Sequence, residues 1–495
     1  MRTAGVLAHI TSLPATHGIG TLGAPAFRFA ESLAEAGQSW WQMLPVGPTG
    51  YRDSPYQSPS TFAGNPLLID LDLLIGEGLL KPEEVEGLRS LSSERVDYGV
   101  LISQKTGLLS LAARRFLESG ADSDFERFLR TDWLDEYALF AALKQHHGGQ
   151  PWVDWDELLA LRHPAALSKA ADELRHSIEV ERTIQYLFRK QWDHLHRHCS
   201  GLGVGLIGDL PIFVAHDSAD VWAAPELFHL DSGGRPTVVA GVPPDYFTAT
   251  GQRWGNPLYR WEVHARDGFA WWSRRLAASL SLFDMLRIDH FRGFIAYWEI
   301  PAEETTALNG RWVQAPGAEL FSSLGPARLP IIAEDLGIIT DEVTNLRRRF
   351  GFPGMRVAQF GFDEELDTAI HHPSNYATDV VAYTGTHDND TSVGWFWGDN
   401  HRHDRRRLNR NRRRLLAEVG TKGDEIYWDL IRMIHSSQAQ TAVVPAQDLL
   451  GLGSEARMNT PGIEDGNWAW RMTGSLPADA LDRLGMITKE TGRIG

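Results

Sequence analysis

The sequence predicts a (β/α)8 barrel with large, mainly helical insertions between its strands. Three observations support this prediction: the 495 residues contain eight short apolar runs, helical patterns separate them, and charged residues repeatedly follow them. An open, doubly wound parallel sheet is the alternative, because the same alternation of strands and helices can build it. The predicted strands are residues 4–10, 39–46, 204–209, 283–289, 330–335, 355–360, 380–387 and 441–447.

Polar residues, glycine and proline mark the ends of the first two predicted strands and of the helix between them. The first apolar run ends in polar Thr11 and Ser12, and residues 27–36 then have helical spacing up to Gly37. Gly37 is a typical helix stop because glycine tolerates the left-handed conformation. The second apolar run, at 39–46, is broken by the Gly-Pro pair that follows it. This part of the chain therefore predicts strand, helix and strand.

Residues 330–360 show the repeating βαβ unit most clearly. Thr340 stands at the predicted N-cap of the intervening helix and two acidic residues follow it. Residues 347–349 are arginines in the predicted last turn, and Gly351 follows as the stop. Acidic groups at the start and basic groups at the end both stabilise a helix dipole. A second apolar run then completes the unit.

Two long stretches interrupt the barrel pattern. Residues from about 64 to 200 are mostly helical in pattern, as at 125–129, 136–144 and 180–195, and strand-like runs resume after them. A second insertion spans about 215–280 and includes residues 241–255. This segment has the composition of a lid, with glycines that allow bending and with Tyr246, Phe247 and Trp254 as apolar mass; an ordered loop on the barrel rim is the alternative. We expect residues 1–495 to form a single catalytic domain.

Composition and charge exclude several classes of protein. The apolar fraction of 43% and the charged fraction of 23% are ordinary for a globular chain. A net charge of −16 argues against a nucleic acid or an anionic membrane as partner. The single cysteine, Cys199, forms no internal disulfide, and since no apolar run approaches about 18 residues we expect neither a signal peptide nor a membrane span. We therefore expect a cytoplasmic protein.

The stretch FDMLRIDHFRG, residues 283–293, is the centre of the functional prediction. Arg287 and Asp289 are two residues apart, so on a strand both side chains leave the same face. Two opposite charges are costly to bury without a purpose or a partner. Arg287 would keep Asp289 ionised, which suits a carboxylate that attacks or stabilises a cation. A structural ion pair at a strand end is the alternative.

Charged residues recur where predicted strands end, which is where barrel enzymes place their chemistry. They are Asp209, Asp289, Glu334, Asp335, His387 and Asp388. Chemistry at a glycosidic bond needs one acid to protonate the leaving oxygen and one carboxylate on the far side of the anomeric carbon. Neighbouring strand residues point in opposite directions, so alternation does not choose between Glu334 and Asp335.

Three other sequence motifs are weak evidence of function. The glycines of residues 203–208 match a dinucleotide fingerprint, but they lie before and within a strand rather than opening a helix. The Asp-Asn-Asp of residues 388–390 resembles a metal-binding motif of sugar-nucleotide transferases, yet no phosphate loop accompanies it. The basic run 402–414 is interpreted as a solvated helix face. We predict neither a metal ion nor an organic cofactor, since no cluster has zinc-ligand spacing.

Seven stretches together resemble the amylomaltases, the bacterial 4-α-glucanotransferases, and they occur in the family's order along almost the whole chain. They are GYRDSPYQ (50–57), GVPPDYF (241–247), GQRWGNP (251–257), RIDHFRG (287–293), AEDLG (333–337), TGTHDND (384–390) and GSEARMN (453–459). Two departures are Arg52, where the family commonly has glycine, and Pro59, where a bulky apolar residue is common. Both lie away from the catalytic residues, so donor affinity or loop conformation could differ.

The resemblance implies a catalytic set in an α-amylase-type barrel. Asp289 would be the nucleophile, Glu334 the general acid/base, and Asp388 the third acid that grips ring hydroxyls. Arg287 would steer and ionise Asp289. The other implied substrate-binding residues are Ser54, Tyr56, Asp209, Trp254 and His387, with Tyr51 as a more distant glucan contact.

The implied reaction is disproportionation, in which an α-1,4-glucan segment moves from a glucan or maltooligosaccharide to the 4-hydroxyl of glucose or another maltooligosaccharide. A retaining double displacement would carry it out. The alternatives are an α-glucan hydrolase, a non-catalytic glucan-binding protein and a metal-dependent sugar-nucleotide transferase. A non-catalytic protein is expected to lose one of the three acids, and all three are present.

Overall fold

A ring of eight parallel strands forms the centre of the fold. The protein is described by a computed structural model that covers residues 2–120, 122–244, 249–363, 368–398, 405–463 and 465–494. The ring follows the order β10-β11-β12-β1-β2-β3-β6-β9. In chain order the strands are β1 Thr3–Leu7, β2 Trp40–Gln42, β3 Gly205–Leu210, β4 Val238–Val242, β5 Gln252–Pro257, β6 Met285–Ile288, β7 Ala296–Pro301, β8 Arg311–Gln314, β9 Ile331–Ala333, β10 Gly354–Val357, β11 Val380–Tyr383 and β12 Thr441–Pro445.

The two ends of this sheet meet, which closes it into a barrel. The N–H of Ala333, in β9, donates to the carbonyl of Pro353, directly before β10, at 2.9 Å. Every residue of β11 and β12 is buried. Strands covered on both faces read as continuous apolar runs, which is why all eight were visible in the sequence. The (β/α)8 barrel is thus confirmed, and the open sheet is excluded.

Most predicted strands are shorter than their apolar runs suggested. The run 380–387 forms a strand only at Val380–Tyr383, and the run 283–289 only at Met285–Ile288. The residues beyond β11 remain buried, with Thr384 0% and His387 6% exposed. Their backbone leaves the ladder because the Asn389 side chain accepts the Thr386 N–H at 2.9 Å. Apolar runs in the sequence indicate which residues are buried. Burial continues beyond the last residue that pairs with a neighbouring strand, so the runs are longer than the strands.

Helices surround the barrel, and seven of them lie between β2 and β3. The predicted helical segments at 136–144 and 180–195 fall inside α5 and α8, and 125–129 overlaps α4. Among the described helices, none is long and apolar enough to cross a membrane. They are α1 Ala24–Glu35, α2 Leu71–Gly76, α3 Tyr98–Ser119, α4 Ser123–Phe128, α5 Leu134–His146, α6 Glu157–Ala160, α7 Pro164–Glu173, α8 Arg175–Gly201, α9 Ala219–Ala223, α10 Trp261–Arg266, α11 Ala270–Leu280, α12 Gly317–Ser323, α13 Asp341–Arg349, α14 Thr368–His371, α15 Ser392–Trp397, α16 Arg405–Val419, α17 Ile426–Ser436, α18 Ala446–Leu449 and α19 Ala478–Glu490.

The start of α13 and the glycines around the start of β3 lie where the sequence predicted them. Helix α13 begins directly after Thr340 as predicted, although the Thr340 side chain makes no hydrogen bond to the first-turn backbone. The glycines at 203–208 lie in the turn before β3 and within β3 itself. They do not open a helix, so the dinucleotide fingerprint has no structural counterpart here.

The basic run is less solvated than the sequence suggested. Residues 405–414 belong to α16, and the part before it lies outside the described residues. Arg407 pairs with Asp363 and its side chain is only 13% exposed. Arg412 lies over the Phe396 ring at 5.5 Å. Several of these arginines thus attach α16 to the barrel, which a count of like charges does not reveal.

A second sheet, which the sequence analysis missed, covers the rim of the barrel. It is antiparallel and has the order β5-β4-β7-β8. The two ends of the segment 241–255 belong to this sheet, since Gly241 pairs with Arg253 and Val242 with Gln252. Residues 243–251 connect the two strands of this β-hairpin, and β4 pairs on its other side with β7. Tyr246 and Phe247 lie outside the described residues.

Candidate active site

A cleft of about 490 Å³ opens at the carboxyl ends of the barrel strands, between the loops that follow them. The second sheet supplies part of its wall through Gln252 and Trp254. Pockets of about 300–1,000 Å³ are typical of small-molecule sites. Of the residues singled out in the sequence, the cleft is lined by Ser54, Tyr56, Trp254, Arg287, Asp289, Glu334, His387 and Asp388.

Arg287 lies at the bottom of this cleft and bridges two carboxylates. Its guanidinium donates to Asp209 at 2.6 and 2.8 Å and to Asp289 at 2.9 Å. Arg287 is 3% exposed and the Asp209 side chain is fully buried. The two acids come from the ends of neighbouring strands β3 and β6, which pair in register at Asp209 and Arg287. A bidentate arginine in this setting fixes both carboxylates in position.

Asp289 follows β6 directly and remains attached to the sheet. Its N–H donates to the carbonyl of Leu210 at 3.0 Å. Burial raises the pKa of the Asp289 carboxyl above its ordinary value, Arg287 opposes that rise, and the charges of Asp209 and Asp388 add to it. Arg287 therefore favours the ionised form, as the sequence predicted, but it does so against burial and two neighbouring acids.

Glu334 follows β9, the strand that pairs with β6. Its two carboxyl oxygens accept the N–H groups of His290 at 2.7 Å and Leu336 at 2.9 Å. Burial raises the pKa of Glu334 to about 8, and the charge of Asp289 adds to the rise against the opposing Arg287. Asp289 has the direct arginine partner and Glu334 does not, so the proton of this pair resides on Glu334 near neutral pH.

Asp335 points away from the cleft, which resolves the ambiguity that strand alternation left. Its carboxylate accepts the Met355 N–H at 2.6 Å and pairs with Arg356 at 3.1 Å and Arg347 at 3.3 Å. Asp335 is 2% exposed. It joins β9 to β10 and α13.

Asp388 lies at the cleft mouth, where its side chain is 42% exposed. The Asn459 amide donates to one of its oxygens at 2.6 Å, and His387 Nε2 lies 3.3 Å from the other. Charge-assisted bonds of this kind hold a carboxylate in one orientation. The Asp388 carboxyl group is thus held in one orientation at the cleft.

Tyr56 connects the two halves of the site. Its hydroxyl donates to Asp209 at 2.8 Å and also lies 2.8 Å from His387 Nε2. Because the Tyr56 proton goes to Asp209, the second contact requires His387 to donate from Nε2. The two rings stack at 5.4 Å, and Trp468 packs against Tyr56 at 5.6 Å.

Three residues of the site escaped the sequence analysis. Asn459 and Trp468 come from the last barrel loop, and His290 is wedged against Trp254 with ring centroids 4.9 Å apart. His290 and Trp468 have φ of 49° and 62°. Left-handed conformations of bulky residues often occur at functional sites. Asn459 belongs to a stretch already quoted for the resemblance, but nothing local marks its side chain as a partner of Asp388.

Tyr51 lies outside the cleft and is 70% exposed. The adjacent Arg52 has φ of 54°, the left-handed region in which glycine is favoured. Arg52 contacts Asp465 at 3.2 Å, so it joins the 50–57 loop to the last barrel loop. Glycine, which the family commonly has at this position, adopts such a φ without strain. Arg52 lacks that advantage but adds a contact with Asp465.

Within the described ranges, no group of three or more His, Cys, Asp or Glu side chains is arranged to hold a metal ion. Asp390, the second acid of the Asp-Asn-Asp stretch, instead accepts from the Ser454 hydroxyl at 2.8 Å and lies 3.7 Å from Arg457. It is 7% exposed and serves the packing of the last barrel loop.

Comparisons with known proteins give one consistent result. A family model described as 4-alpha-glucanotransferase matches residues 8–477. The 4-alpha-glucanotransferase of Thermus thermophilus is 49% identical over 100% of this chain and 99% of its own, and that of Synechocystis is 46% identical over 99% and 98%. The amylomaltase of Streptococcus agalactiae in complex with acarbose is 38% identical with a TM-score of 0.94, and each chain is covered completely.

Proposed function

Because this chain belongs to the 4-alpha-glucanotransferase family, we propose that its cleft performs glucan transfer with Asp289 as nucleophile and Glu334 as general acid/base. The observation that carries these roles is the contrast between the two carboxyl groups. Asp289 has a direct arginine partner at 2.9 Å, whereas Glu334 is held as an acid with its pKa raised to about 8. Pairs of acids with diverging environments identify acid and base roles.

In the first step the Asp289 carboxylate attacks the anomeric carbon of the donor glucan. The glycosidic bond breaks, and the Glu334 carboxyl gives its proton to the departing oxygen, so the reducing-end portion leaves as a free 4-hydroxyl. The products in the cleft are a glycosyl ester on Asp289 and a Glu334 carboxylate. Burial is the main cause of the raised pKa of Glu334, and formation of the ester removes the further contribution of the Asp289 charge, which suits Glu334 to act next as a base.

In the second step the Glu334 carboxylate takes the proton from the 4-hydroxyl of an acceptor glucan. The acceptor oxygen attacks the same anomeric carbon, and the ester bond to Asp289 breaks. Two inversions give net retention, for which carboxyl groups about 5–5.5 Å apart are expected. A separation of about 6.5–9.5 Å in a ligand-bound structure would contradict these roles.

The remaining polar groups would bind the donor sugar around the bond that breaks. Asp388 and His387 would hold ring hydroxyls, while Arg287, Asp209 and Tyr56 keep Asp289 in position. Ser54 and Trp254 would line the glucan path. The substrates on this proposal are α-1,4-glucans and maltooligosaccharides as donors, and glucose or maltooligosaccharides as acceptors.

Maltotriose as sole substrate separates transfer from hydrolysis. We expect glucose together with maltooligosaccharides longer than the substrate, and almost constant reducing power, because each bond broken is replaced by a bond formed. Chromatography of the products by size and a reducing-end assay measure both quantities. If reducing ends rise with every bond broken and no product exceeds the substrate in length, the protein is a hydrolase and the proposal fails.

The balance between transfer and hydrolysis should depend on Trp254. Its half-buried ring lines the cleft from the β4–β5 hairpin and would stack on acceptor sugars, where it also excludes water. Trp254→Ala is therefore expected to raise the ratio of hydrolysis to transfer about ten-fold, as read from new reducing ends per glucose released. An unchanged ratio at lowered total activity would contradict an acceptor role for this ring.

Asn459→Ala tests the orientation of Asp388. The substitution removes the 2.6 Å bond to the carboxylate, and a bond to a charged group is worth about 1.5–3 kcal/mol. We expect kcat/KM for maltotriose to fall about ten- to hundred-fold with little change in thermal stability, since Asp388 stays partly exposed. Asn467→Ala is a matched control, because the Asn467 side chain bonds to backbone groups of residues 460 and 463 and, among the described residues, does not line the cleft. Equal effects of both substitutions would point to a general loosening of the loop.

We also propose that the reaction takes place in the cytoplasm. The one cysteine, Cys199, is a buried free thiol on α8, and burial raises its pKa to about 12. Such a thiol is inert and gives the fold no need of an oxidising compartment. Fractionation of the native host cells with an antibody against the protein checks this assignment.

A further inference from the structure

A second cavity lies apart from the cleft. It has a volume of about 510 Å³, close to the 490 Å³ of the cleft, and shares no lining residue with it. We call it the α8 groove. Its walls come from the α4–α5 connection, from residues 185–197 of α8, and from α11 with the turn after it. A space of this size is large enough for a ligand of several rings.

Aromatic rings form one wall of the α8 groove. Phe62, Phe128 and Trp133 line it and are all half-buried. Trp133 is nearly parallel to Phe62, with ring centroids 6.3 Å apart and planes at 19°, and it meets Phe128 edge-on at 6.5 Å. Neighbouring rings therefore fix the Trp133 plane. A fixed, partly exposed indole offers a flat apolar surface of the kind that packs on the apolar face of a sugar ring.

Six of the eight charged side chains that line the α8 groove pair with one another; of the other two, Lys190 pairs with Glu77 at 2.9 Å and Arg197 donates to the Asp193 carbonyl at 3.1 Å. Arg127 bonds Asp124 at 2.8 Å, Arg189 bonds Asp193 at 2.7 Å, and Arg274 lies 3.6 Å from Asp132. Both members of each of these three pairs line the groove. An anionic ligand would have to displace carboxylates from these arginines. A neutral polyol can instead donate to the carboxylates and accept from the guanidinium groups without breaking a pair. The groove therefore favours a neutral, hydroxyl-rich ligand.

The α8 groove adjoins the cleft through one chain segment. A smaller cavity of about 60 Å³ shares Phe62 and Leu282 with the groove, and it shares Tyr56 and Phe213 with the cleft. Residues 56–62 thus face the cleft at one end and the groove at the other. A chain bound in the groove would rest against the same loop that carries Tyr56.

We propose that the α8 groove is a second carbohydrate-binding site that holds a segment of α-glucan chain by stacking on Trp133 and by hydrogen bonds to the Arg274–Asp132 pair. The choice of a glucan rests on the proposed function, because glucan is the neutral polyol on which the enzyme acts. Such a site raises the local concentration of a polymeric substrate near the cleft. A substrate too short to reach from one site to the other gains nothing from it.

Kinetics with long and short donors test this site. Trp133→Ala is expected to raise KM for long-chain amylose about five- to ten-fold, while kcat on amylose and both constants for maltotriose stay near the wild-type values. Trp312→Ala is the matched control: Trp312 is 40% exposed on the second sheet and does not line the groove. Arg274 is an exposed side chain of the groove wall. If Trp133→Ala does not fold, the KM of Arg274→Ala for amylose tests the same site. Unchanged amylose KM in both groove variants, or an equal change in Trp312→Ala, would overturn the proposal.

Binding measured without turnover gives a second reading. Maltoheptaose titrated by calorimetry into the Glu334→Gln protein should occupy two sites, and one of them should be lost when Trp133→Ala or Arg274→Ala is added. A single maltoheptaose site in Glu334→Gln would overturn the proposal. So would a groove that binds inorganic phosphate instead of maltoheptaose, with that binding lost in Arg274→Ala. Failure of the wild-type protein to disproportionate maltotriose would instead refute the proposed function, whatever the stoichiometry.

Discussion

Asp289→Ala is expected to lower disproportionation of maltotriose by about 10⁴-fold or more, because the substitution removes the atom that forms the covalent intermediate. The fold should persist, since the Asp289 side chain is 29% exposed and its backbone bond to Leu210 does not depend on the carboxylate. Arg287 keeps Asp209 as a partner in the variant. Thermal unfolding of the variant should therefore stay close to that of the wild type, and the assay of choice is product analysis after long incubation.

Azide can replace the missing carboxylate in this variant. With α-maltosyl fluoride as donor, azide should attack the anomeric carbon from the face that Asp289 occupies, release fluoride and give β-maltosyl azide. Asp479→Asn is the matched control, an exposed acid at the start of α19 that does not line the cleft. Wild-type activity in Asp289→Ala would refute the nucleophile, and α-configured azide product would refute a single-displacement rescue at this position.

Glu334→Gln is expected to lower transfer from maltotriose by about 10³-fold, because the glycosidic oxygen is a poor leaving group without a proton. An α-maltosyl fluoride donor needs no such proton, so formation of the glycosyl-enzyme from it should be much less affected. The contrast between the two donors measures the acid role directly. Equal losses with both donors would indicate that Glu334 positions the substrate rather than protonates it.

The pH profile gives an independent measure of the same residue. The pKa of Glu334 is raised to about 8, so the acid form predominates below that pH and kcat/KM should fall as pH rises through about 8. The acid limb should follow ionisation of Asp289. In Glu334→Gln the alkaline limb should disappear from the residual activity with α-maltosyl fluoride. An alkaline limb that persists unchanged would assign it to another group.

The same pKa has a consequence for stability. The folded protein holds the Glu334 proton up to about pH 8, whereas the unfolded chain releases it near the ordinary value of 4.5. The unfolded state thus binds fewer protons between these values, and the free energy of unfolding falls as pH rises through this window. Glu334→Gln removes the buried charge, so at pH 8 its Tm should equal or exceed that of the wild type. This is the opposite of what loss of a structural carboxylate would produce.

The eight barrel strands and the pairing of Arg287 with Asp289 could be predicted from the sequence. Parallel strands covered on both faces are continuous apolar runs, so periodicity and glycine stops revealed all eight of them. Arg287 and Asp289 lie two residues apart, and the distance between their side chains is fixed by local geometry. The resemblance then supplied roles for residues that share no local pattern, such as Ser54 and Trp254.

The tertiary structure alone decided which side chains meet. Glu334 and Asp335 are equivalent in sequence, but only barrel closure gives Asp335 its partners Arg347 and Arg356 and leaves Glu334 facing the cleft. Asp388 and Asn459 are 71 residues apart and meet because consecutive barrel loops converge. The second sheet was missed because β4 is stabilised by pairing with β5 on one side and β7 on the other, and no local pattern encodes the contact with β7. Periodicity reports burial within one element, whereas a site is made by contacts between elements.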